Sequence, residues 1–543
     1  MAQVVASAIS AVCLALAAFS AAAQQHQHSA DQPEKLGTVH FETSCTAAAQ
    51  PGFDRAVSLL HSFEFGAAIA GFEGTLQQDR SCAMAEWGIA LSRWSNPFAV
   101  GLRSPEQLAL GMAAVERGRA IGAKTDRERA YLDAVAHLYT GAERLSQRQR
   151  VEAYRDAMGR LSKQYPSDTE AAIFYALSLT AAEDLNDKTY AGRLQAVAIL
   201  EPLFKQQPTH PGLAHYLIHS YDVPALAPRA LDATNRYAAI APSAPHALHM
   251  PSHTFTRVGL WQESIDTNIA SAKAAREQHA TGEELHASDY QMYAYLQTAQ
   301  DGAAKRLLDS LPDIVSRFGS QSVASAAPPS AARYAIAAMP ARWVLERGAW
   351  TEAARLQVRP SDLPYADALT AYARAIGAAR AGDVSTARDA LAQLDALRAR
   401  QAEMNEPYWT QQIDIQRQGA AAWLAFAEGR TADAVAGMRA AAGAEDRTEK
   451  AAITPGPLAP AREQLADMLL ETKDARGALK EFEATLAKEP NRFRAVYGAG
   501  RAAALAGDDA AARKYFEQLV KMCPRADAPV RKELEAARAA LSR

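Results

Sequence analysis

The sequence predicts an all-α solenoid, in which stacked helical hairpins share one continuous thin core, and three observations support this fold class. Hydrophobic residues make up 49% of the 543-residue chain but aromatic residues only 7%, so much of the apolar content is alanine, the best intrinsic helix former. No long Val-, Ile- and Thr-rich alternation suggests strands. A pattern also recurs at a fixed spacing near the C-terminus, and such a period is typical of repeat architectures.

The repeat is clearest in the last two hairpins. Three positions there return with one common displacement, because Ala478, Phe482 and Pro490 are followed by Ala512, Phe516 and Pro524. Gly500 falls in mid-helix, where two helices approach closely, and Gly507 falls at the turn between helices. The pattern resembles the tetratricopeptide repeat, a 34-residue helix–turn–helix unit. The resemblance implies a superhelix whose concave groove is lined by the first helix of each hairpin.

Other parts of the chain keep this pattern to different degrees. Pro208 and Pro211 recur at the same displacement as Pro242 and Pro245, and Gly259 then marks an interhelical turn. Between about 100 and 200, and again from 335 to 445, helical periodicity persists but the register is lost. We therefore expect several of the repeats to be degenerate.

The N-terminus predicts an exported protein. Residues 1–23 contain no Asp, Glu, Lys or Arg, and this stretch ends in the small residues Ala21, Ala22 and Ala23. An apolar stretch closed by small residues is typical of a secretory signal peptide. We therefore expect cleavage near Ala23 and a periplasmic or secreted mature protein.

The predicted organisation downstream of residue 23 has four parts. Residues 24–50 form a polar leader, and residues 51–319 form an N-terminal helical block that contains the histidine-rich groove. Residues 320–332, which include Pro328-Pro329 and repeated Ser and Ala, are the candidate linker. Residues 333–543 form a C-terminal block of the same repeat type.

Three cysteines follow the predicted cleavage site. In an oxidising compartment the neighbouring pair Cys45 and Cys82 can form a disulfide that ties the leader to the first hairpins. Cys523 would then remain unpaired, as a buried thiol of the last hairpin.

Composition excludes several classes of partner. The 58 Lys and Arg residues nearly balance the 61 Asp and Glu residues, for a net charge of −3, so we expect no nucleic-acid partner. After the signal peptide no uncharged apolar run is long enough to predict a membrane span. The Gly122–Thr125 segment lacks the adjacent Gly-Lys of a phosphate-binding loop, so no nucleotide cofactor is expected.

The histidines carry the strongest indication of chemistry. All 13 lie at or before position 286. His215 and His219 are four positions apart, as are His249 and His253, so each pair lies on one helix face. The second pair follows the first by one repeat length and so occupies equivalent positions on the next repeat. His246 falls at a further position that faces the groove in the resembled family.

Imidazoles that converge from adjacent helices suit a divalent transition metal, with zinc and copper as the favoured ions. The predicted ligands are His215, His219, His246, His249 and His253. Asp222, which is on the same face as His219, and His286 and Asp289 on the next helix are possible additional ligands or a general base. The pattern is not that of a zincin, because the segment 215–219 has no glutamate at its second position.

Three further residues are candidates for lining the groove. Trp87 and Trp94 occupy groove-facing positions of an early repeat, and His61 lies near the end of an inner helix. Core packing is the alternative for both tryptophans. Residues 445–462 form a non-helical insert, which is either a partner-binding loop or a hairpin connection.

Beyond the generic repeat, the segments His215–Asp222 and His246–His253 resemble a pattern found in a group of exported bacterial tetratricopeptide-repeat proteins, and this resemblance implies no particular activity. Three hypotheses remain open. The groove binds a transition metal, for metal handling or as a metalloenzyme centre. Alternatively, the solenoid is a scaffold for a peptide or envelope protein, and the histidines are polar contacts. In the third, His and Asp222 form a metal-free acid–base site.

Overall fold

A computed structural model describes residues 34–319 and 326–542 of the chain. Residues from Lys35 onward form one compact unit. The predicted signal peptide, most of the leader up to residue 33, and residues 320–325 of the candidate linker lie outside the described residues, so the predicted cleavage and the division into two blocks stay predictions.

The described residues form α-helices and one short 3-10 helix, with no strand among them. The helices of the first half are α1 (Gln50–His61), α2 (Phe65–Gln78), α3 (Ala83–Trp94), α4 (Pro105–Ile121), α5 (Asp126–Ala136), α6 (Gln147–Gln164), α7 (Thr169–Ala181), α8 (Ala191–Gln206), α9 (Pro211–Ser220), α10 (Leu231–Ile240), α11 (Pro245–His249), α12 (Pro251–Val258), α13 (Trp261–Glu277) and α14 (Thr281–Gln297). The 3-10 helix, Ala227–Ala230, directly precedes α10.

The same alternation of helices continues to the C-terminus. The remaining helices are α15 (Asp301–Ser316), α16 (Pro329–Glu346), α17 (Trp350–Ala354), α18 (Pro364–Ala381), α19 (Val384–Glu403), α20 (Pro407–Ala427), α21 (Thr431–Asp446), α22 (Ala461–Glu471), α23 (Ala475–Lys488), α24 (Phe493–Leu505), α25 (Asp509–Met522) and α26 (Lys532–Leu541). No helix in the described part of the chain combines the length and apolar character that crossing a bilayer requires.

Consecutive helices pack as antiparallel hairpins, and the hairpins stack. The first helix of a hairpin contacts the first helix of the next, as in the series α14, α16, α18 and α20, which we call inner helices. The second helices α15, α17 and α19, which we call outer helices, form no such series. This stacking of hairpins, each in contact with its neighbours, is the architecture of an α-solenoid. The predicted all-α solenoid fold is therefore confirmed.

The last hairpins show why a regular sequence period gives a repeated structure. Helices α23 and α25 begin at Ala475 and Asp509 and have the same length. Phe516 of α25 packs so tightly on Gly500 of α24 that a Cβ at this glycine would lie 2.6 Å from the ring. The close approach expected at Gly500 therefore exists, and only glycine leaves room for it.

The array also curls so that distant segments touch. Helix α1 packs on α9, and α14 packs on α24. The indole Nε1 of Trp261 donates to the backbone oxygen of Asn491, 2.7 Å away, and Asn491 Nδ2 donates back to the oxygen of Gly259. The non-helical residues 447–460 also contact the region from α9 to α14, since Lys450 donates to Asp222 and the Tyr290 hydroxyl donates to the backbone oxygen of Thr454.

Near the N-terminus a covalent link joins the leader to the first hairpins. Cys45 and Cys82 are bonded as a disulfide. Cys523 is a buried free thiol at the end of α25. The leader is held by hydrogen bonds as well, since Ser44 donates through its backbone N–H and its hydroxyl to the two carboxylate oxygens of Glu128.

Candidate metal centre

Helix α9 presents two histidines to the inside of the array. The helix begins at Pro211, whose missing N–H costs nothing at a helix N-terminus, and the preceding His210 caps it by accepting from the N–H of Leu213. Every residue of α9 is buried. His215 and His219 are therefore one turn apart on a buried face, and their ring centroids are 4.8 Å apart.

The next inner element is a pair of short helices, the second of which begins with a proline. His249 ends α11 and Pro251 begins α12. Proline interrupts the ladder of helical hydrogen bonds because it has no N–H to donate. The backbone of Met250 nevertheless stays in the right-handed helical region, so His249 and His253 still project from one face, with ring centroids 5.0 Å apart.

Helix α14 supplies a sixth histidine, His286, which lies 4.4 Å from His249 between ring centroids. The six imidazoles divide into two groups of three, in each of which the candidate ligand atoms all lie within 4.8 Å of one another. We call His215, His219 and His246 the first trio, and His249, His253 and His286 the second trio. All six residues are buried, with 0 to 4% of their surface exposed. All five predicted ligands and His286 thus meet in one cluster.

The two trios are neighbours. The ring centroids of His219 and His253 are 5.7 Å apart, and those of His246 and His249 are 6.0 Å apart. No other side chain is needed to connect the trios, because these rings lie at direct aromatic contact distances. The six histidines therefore form one continuous cluster with two centres.

Three of the imidazoles are oriented by an acceptor at Nδ1. His215 donates to the backbone oxygen of His61 over 2.6 Å, His249 to Asn268 Oδ1 over 2.7 Å, and His253 to Asp222 Oδ2 over 3.0 Å. The Asn268 amide is held in this orientation because its Nδ2 donates to Ser264. When Nδ1 of a neutral imidazole carries the proton, Nε2 carries a lone pair.

Each of these three Nε2 atoms faces the Nε2 atom of another histidine in the cluster. His249 Nε2 and His253 Nε2 are 3.1 Å apart, and His215 Nε2 and His246 Nε2 are 3.2 Å apart. Two lone pairs at this distance repel, so the His249–His253 pair requires a proton or a cation between its members. Two nitrogens bound to one tetrahedral zinc ion at about 2.0–2.1 Å lie about 3.3 Å apart, close to both observed distances.

Several nitrogens of the cluster lack a hydrogen-bond partner among the described residues. They are His219 Nε2, His246 Nδ1 and His286 Nδ1, and all three are buried. A buried polar atom without a partner costs about 1–3 kcal/mol, and such atoms are rare in native proteins. A metal ion would serve as the missing partner of each of these nitrogens that faces it.

Burial also sets the charge state of the imidazoles. It lowers the pKa of all six histidines, most clearly for His215, His219, His249 and His286, and it brings the pKa of His246 to about 3. Neighbouring imidazoles lower the pKa of the other five further, whereas for His253 the burial effect is opposed by Asp222 and reinforced by Lys450 and Arg257. The histidines are therefore neutral at pH 7, which is the form that binds metals.

Asp222 connects the second trio to a buried set of charges. Its carboxylate accepts from Arg257 Nε at 2.8 Å and from Lys450 Nζ at 3.4 Å, in addition to His253. Burial alone would raise the pKa of Asp222, but Lys450, Arg257 and His253 together hold it well below its usual range. Burial lowers the pKa of Lys450 to about 8, against the opposing effect of Asp222.

A cleft leads from the surface to the first trio. Its wall includes His219, Asp222, Lys450, Tyr408 and Trp94. The ring of Phe98 also lies on this wall and stacks on His219, with centroids 4.0 Å apart. The cluster is thus open to small molecules on the His219 side, whereas the Tyr290 ring packs against all three members of the second trio.

A third buried group, formed by His61, Glu170 and His210, has the composition of a metal site but a different hydrogen-bond pattern. His210 accepts from Leu213 N–H at Nδ1, so its Nε2 carries the proton that it donates to Glu170 Oε1 over 2.9 Å. His61 Nε2 donates to Glu170 Oε2 over 2.9 Å, and Tyr216 can donate to His61 Nδ1. Every polar atom of this group is paired with protein, so we assign it a structural role.

The other predicted site residues lie outside the cluster. Asp289, three positions after His286, forms a buried ion pair with Arg342, whose Nε is 2.7 Å from its carboxylate. Trp87 is fully buried in the core, where its ring contacts Phe41, Tyr131 and Phe174. Trp94 lines the cleft, and His61 is buried in the third group.

Several residues of the centre were not found by sequence reasoning. Asn268, Lys450, Glu283 and Glu170 all lie near cluster histidines or His61. Asn268 comes from α13, Lys450 from a loop and Glu170 from the distant helix α7, whereas Glu283 lies on α14, three positions before His286. Lys450 is 228 positions from Asp222, so no short-range spacing could indicate it. His210 caps α9, and the one local signal for this helix start is Pro211 at the first helical position.

Comparison with known proteins yields structural matches alone. No protein-family model matches the chain, and no curated protein matches it. Among solved structures, human IFIT1 with PPP-AAAA is similar at a TM-score of 0.34 and 10% identity, over 88% of this chain and 91% of that one. The P58(IPK) TPR domain has a TM-score of 0.22 and 15% identity over 69% and 98% of the two chains. The Cut9–Hcn1 complex has a TM-score of 0.28 and 10% identity over 90% and 96%.

The fold is assigned from the chain's own hairpins rather than from these distant matches. Helical hairpins recur along the described chain, and the last ones keep a strict period, since α23 and α25 have the same length and begin at Ala475 and Asp509. Outer-helix aromatic rings pack on inner-helix glycines, as Phe72 does on Gly88 and Phe516 on Gly500. The molecule is an all-α solenoid of the tetratricopeptide-repeat type.

Proposed function

We propose that this solenoid binds a transition metal through the two histidine trios. The observation that carries the proposal is the His249–His253 pair. Both Nδ1 atoms donate to fixed acceptors, and the two Nε2 atoms face each other at 3.1 Å. Outer acceptors of this kind, an amide and a carboxylate, are the usual partners of metal-binding histidines.

The donor set also indicates which metals are suitable. All six candidate donors are imidazole nitrogens, and among the described residues no carboxylate belongs to either trio. Imidazole suits zinc, copper, iron and nickel, whereas calcium and magnesium prefer oxygen donors. We propose zinc or copper, either for metal handling or as a metalloenzyme centre with access through the cleft at His219.

A metal-free acid–base site is less consistent with this geometry. His253 has the orientation expected of a general base held by Asp222. Its Nε2, however, faces His249 Nε2 rather than the cleft, so a substrate proton has no direct path to it. A base must come within about 2.6–3.2 Å of the proton it removes.

A scaffold for a peptide is the second candidate function. The cleft is lined by aromatic and charged side chains such as Phe98, Tyr408, Arg103 and Lys450, which are common contact residues in binding sites. In this case the histidines would serve as buried polar contacts only. The metal measurement below separates the two candidates.

The first experiment is elemental analysis of untagged mature protein purified without chelators. We expect near-stoichiometric zinc or copper in the wild type and none in a variant carrying His215→Ala and His249→Ala. The matched control carries His40→Ala and His137→Ala, which also removes two histidines but leaves the cluster intact. The His40 side chain is 70% exposed.

Equal, negligible metal in the wild type, the cluster variant and the control would overturn the metal proposal. The scaffold function would then be tested with immobilised wild-type protein and a Phe98→Ala/Tyr408→Ala variant. A peptide partner that the wild type retains and this variant loses would support the scaffold.

We also propose that the protein works after export. The uncharged stretch before Ala23 and the Cys45–Cys82 disulfide both favour an oxidising compartment. The test is the N-terminal mass of protein recovered from fractionated bacterial cells. A periplasmic chain beginning at residue 24 is expected, and an uncleaved cytoplasmic chain would contradict the proposal.

A further inference from the structure

The two trios are built in the same way, one repeat apart. Each takes a pair of histidines, four positions apart, from one inner element and a third histidine from the next. The first trio combines His215 and His219 of α9 with His246 of α11, and the second combines His249 and His253 with His286 of α14. A solenoid repeats its inner surface with each hairpin, so the same chemistry occurs twice.

Each trio also has its own carboxylate behind one imidazole. Asp222 Oδ2 lies 3.0 Å from His253 Nδ1 in the second trio, and Glu283 Oε2 lies 3.7 Å from His246 Nδ1 in the first. A carboxylate behind a ligand histidine raises the basicity of the ligand. Each trio therefore has a negatively charged carboxylate next to one of its histidines.

A single ion cannot use all six imidazoles. Ligand nitrogens lie about 2.0–2.1 Å from a zinc ion, so all donors of one site must fall within a small sphere. The candidate atoms of each trio all lie within 4.8 Å of one another, whereas the six imidazoles together form no such group in the described part of the chain. Three imidazoles per ion also leave one tetrahedral position open, which is the pattern of catalytic rather than structural sites.

We propose that the cluster is a two-ion centre, with one transition-metal ion in each trio. The open position of the first trio accepts an oxygen-donor ligand, such as water, hydroxide or a small substrate oxygen, that enters through the cleft at His219. Neighbouring ions can act on one such ligand together. This inference rests on the proposed metal-binding function. It adds the number of ions, the trio that holds each ion and the class of the further ligand.

The test counts ions per chain in four proteins. Two substitutions remove one ligand each without breaking an observed hydrogen bond of the nitrogen concerned, because His219 Nε2 and His286 Nδ1 have no hydrogen-bond partner in the described part of the chain. The proteins are the wild type, His219→Gln, His286→Gln and the double variant. Each is equilibrated with Zn²⁺, dialysed against a zinc-buffering chelator and analysed for metal and protein.

We expect two ions per wild-type chain, one in each single variant and none in the double variant. Loss of an outer partner of a metal ligand weakens binding about 10–100-fold, so loss of a ligand itself should weaken its site at least that much. His210→Gln is the matched control, since it alters a buried histidine whose nitrogens are both engaged, and it should retain two ions.

The other outcomes separate the two proposals. One ion per wild-type chain, lost from both single variants, would overturn the two-ion centre and leave the metal-binding function standing. No ion in the wild type would overturn both. Circular dichroism and gel filtration establish that each variant is folded, and His246→Gln and His253→Gln replace any variant that is not.

Discussion

The two histidine trios and the group of His61, Glu170 and His210 are equally buried but differ in what their nitrogens face. In the third group a carboxylate lies between the two imidazoles and accepts from both. In the trios, imidazole nitrogens face one another across about 3 Å. The difference shows that burial and residue type do not identify a metal site. The hydrogen-bond partner of each ring is the better guide, because it decides which of the two ring nitrogens keeps a lone pair that can bind a metal.

Removal of metal is expected to have the largest effect on the free energy of unfolding. It tests directly whether the trios, unlike the third group, bind metal. A ligand that binds the folded state at 100 times its dissociation constant stabilises it by about 2.7 kcal/mol, so two ions contribute about 5 kcal/mol. We expect a strong chelator to lower the free energy of unfolding by about this amount, measured by urea titration. The His219→Gln/His286→Gln variant should show no such change. Equal chelator effects on both proteins would contradict the role of the trios.

Substitution of Glu170 by alanine is expected to have the next largest effect. It leaves two buried imidazole N–H groups without an acceptor, and breaking a buried charged network from one side costs about 3–5 kcal/mol. The measurement is again urea unfolding, with Glu170→Gln as the milder control because its amide oxygen still accepts one bond. Metal content should stay at the wild-type level in Glu170→Gln. A loss of metal there would show that the third group belongs to the metal centre.

Asn268 sharpens the comparison within the trios. Asn268→Ala removes the acceptor of His249 Nδ1, so the tautomer and orientation of this ring are no longer fixed. We expect the zinc affinity of the second trio to fall about 10–100-fold, as measured by competition with a chromophoric chelator. Affinity at the first trio should not change. Asn268→Asp keeps an acceptor and should retain most of the affinity.

The smallest expected effect is a pH dependence due to Glu170. Burial opposes ionisation, yet His61 and His210 hold the pKa of Glu170 below its usual range. An acid with a lowered folded pKa stabilises the protein above its unfolded pKa of about 4.5, and this stability is lost as the pH falls below that value. Relative to Glu170→Gln, the wild type should lose up to about 1.4 kcal/mol per pH unit in this range. Parallel pH profiles would refute the assignment.

Local patterns predicted the fold and the cluster, while long-range contacts determined the rest of the site. The displacement from His215 to His249 by one repeat was visible in the sequence, because solenoid repeats convert sequence period into spatial neighbourhood. Asn268 and Lys450 were not predictable in this way. Asn268 comes from an outer helix, and Lys450 reaches Asp222 only because the array curls. Asp289 matched the pattern but pairs with Arg342, a partner 53 positions away.

The curling of the array has a consequence for how this protein can change in length. An open repeat protein can lose or gain a hairpin at small cost, since each unit contacts only its neighbours. In this protein three contacts join residues far apart in the sequence. Lys450 and Arg531 form ion pairs with Asp222 and Asp301, and Trp261 donates a hydrogen bond to Asn491. Inserting or deleting one hairpin between these partners would separate all three pairs at once. The number of repeats is therefore fixed by the closure of the molecule on itself, as the number of blades is in a propeller.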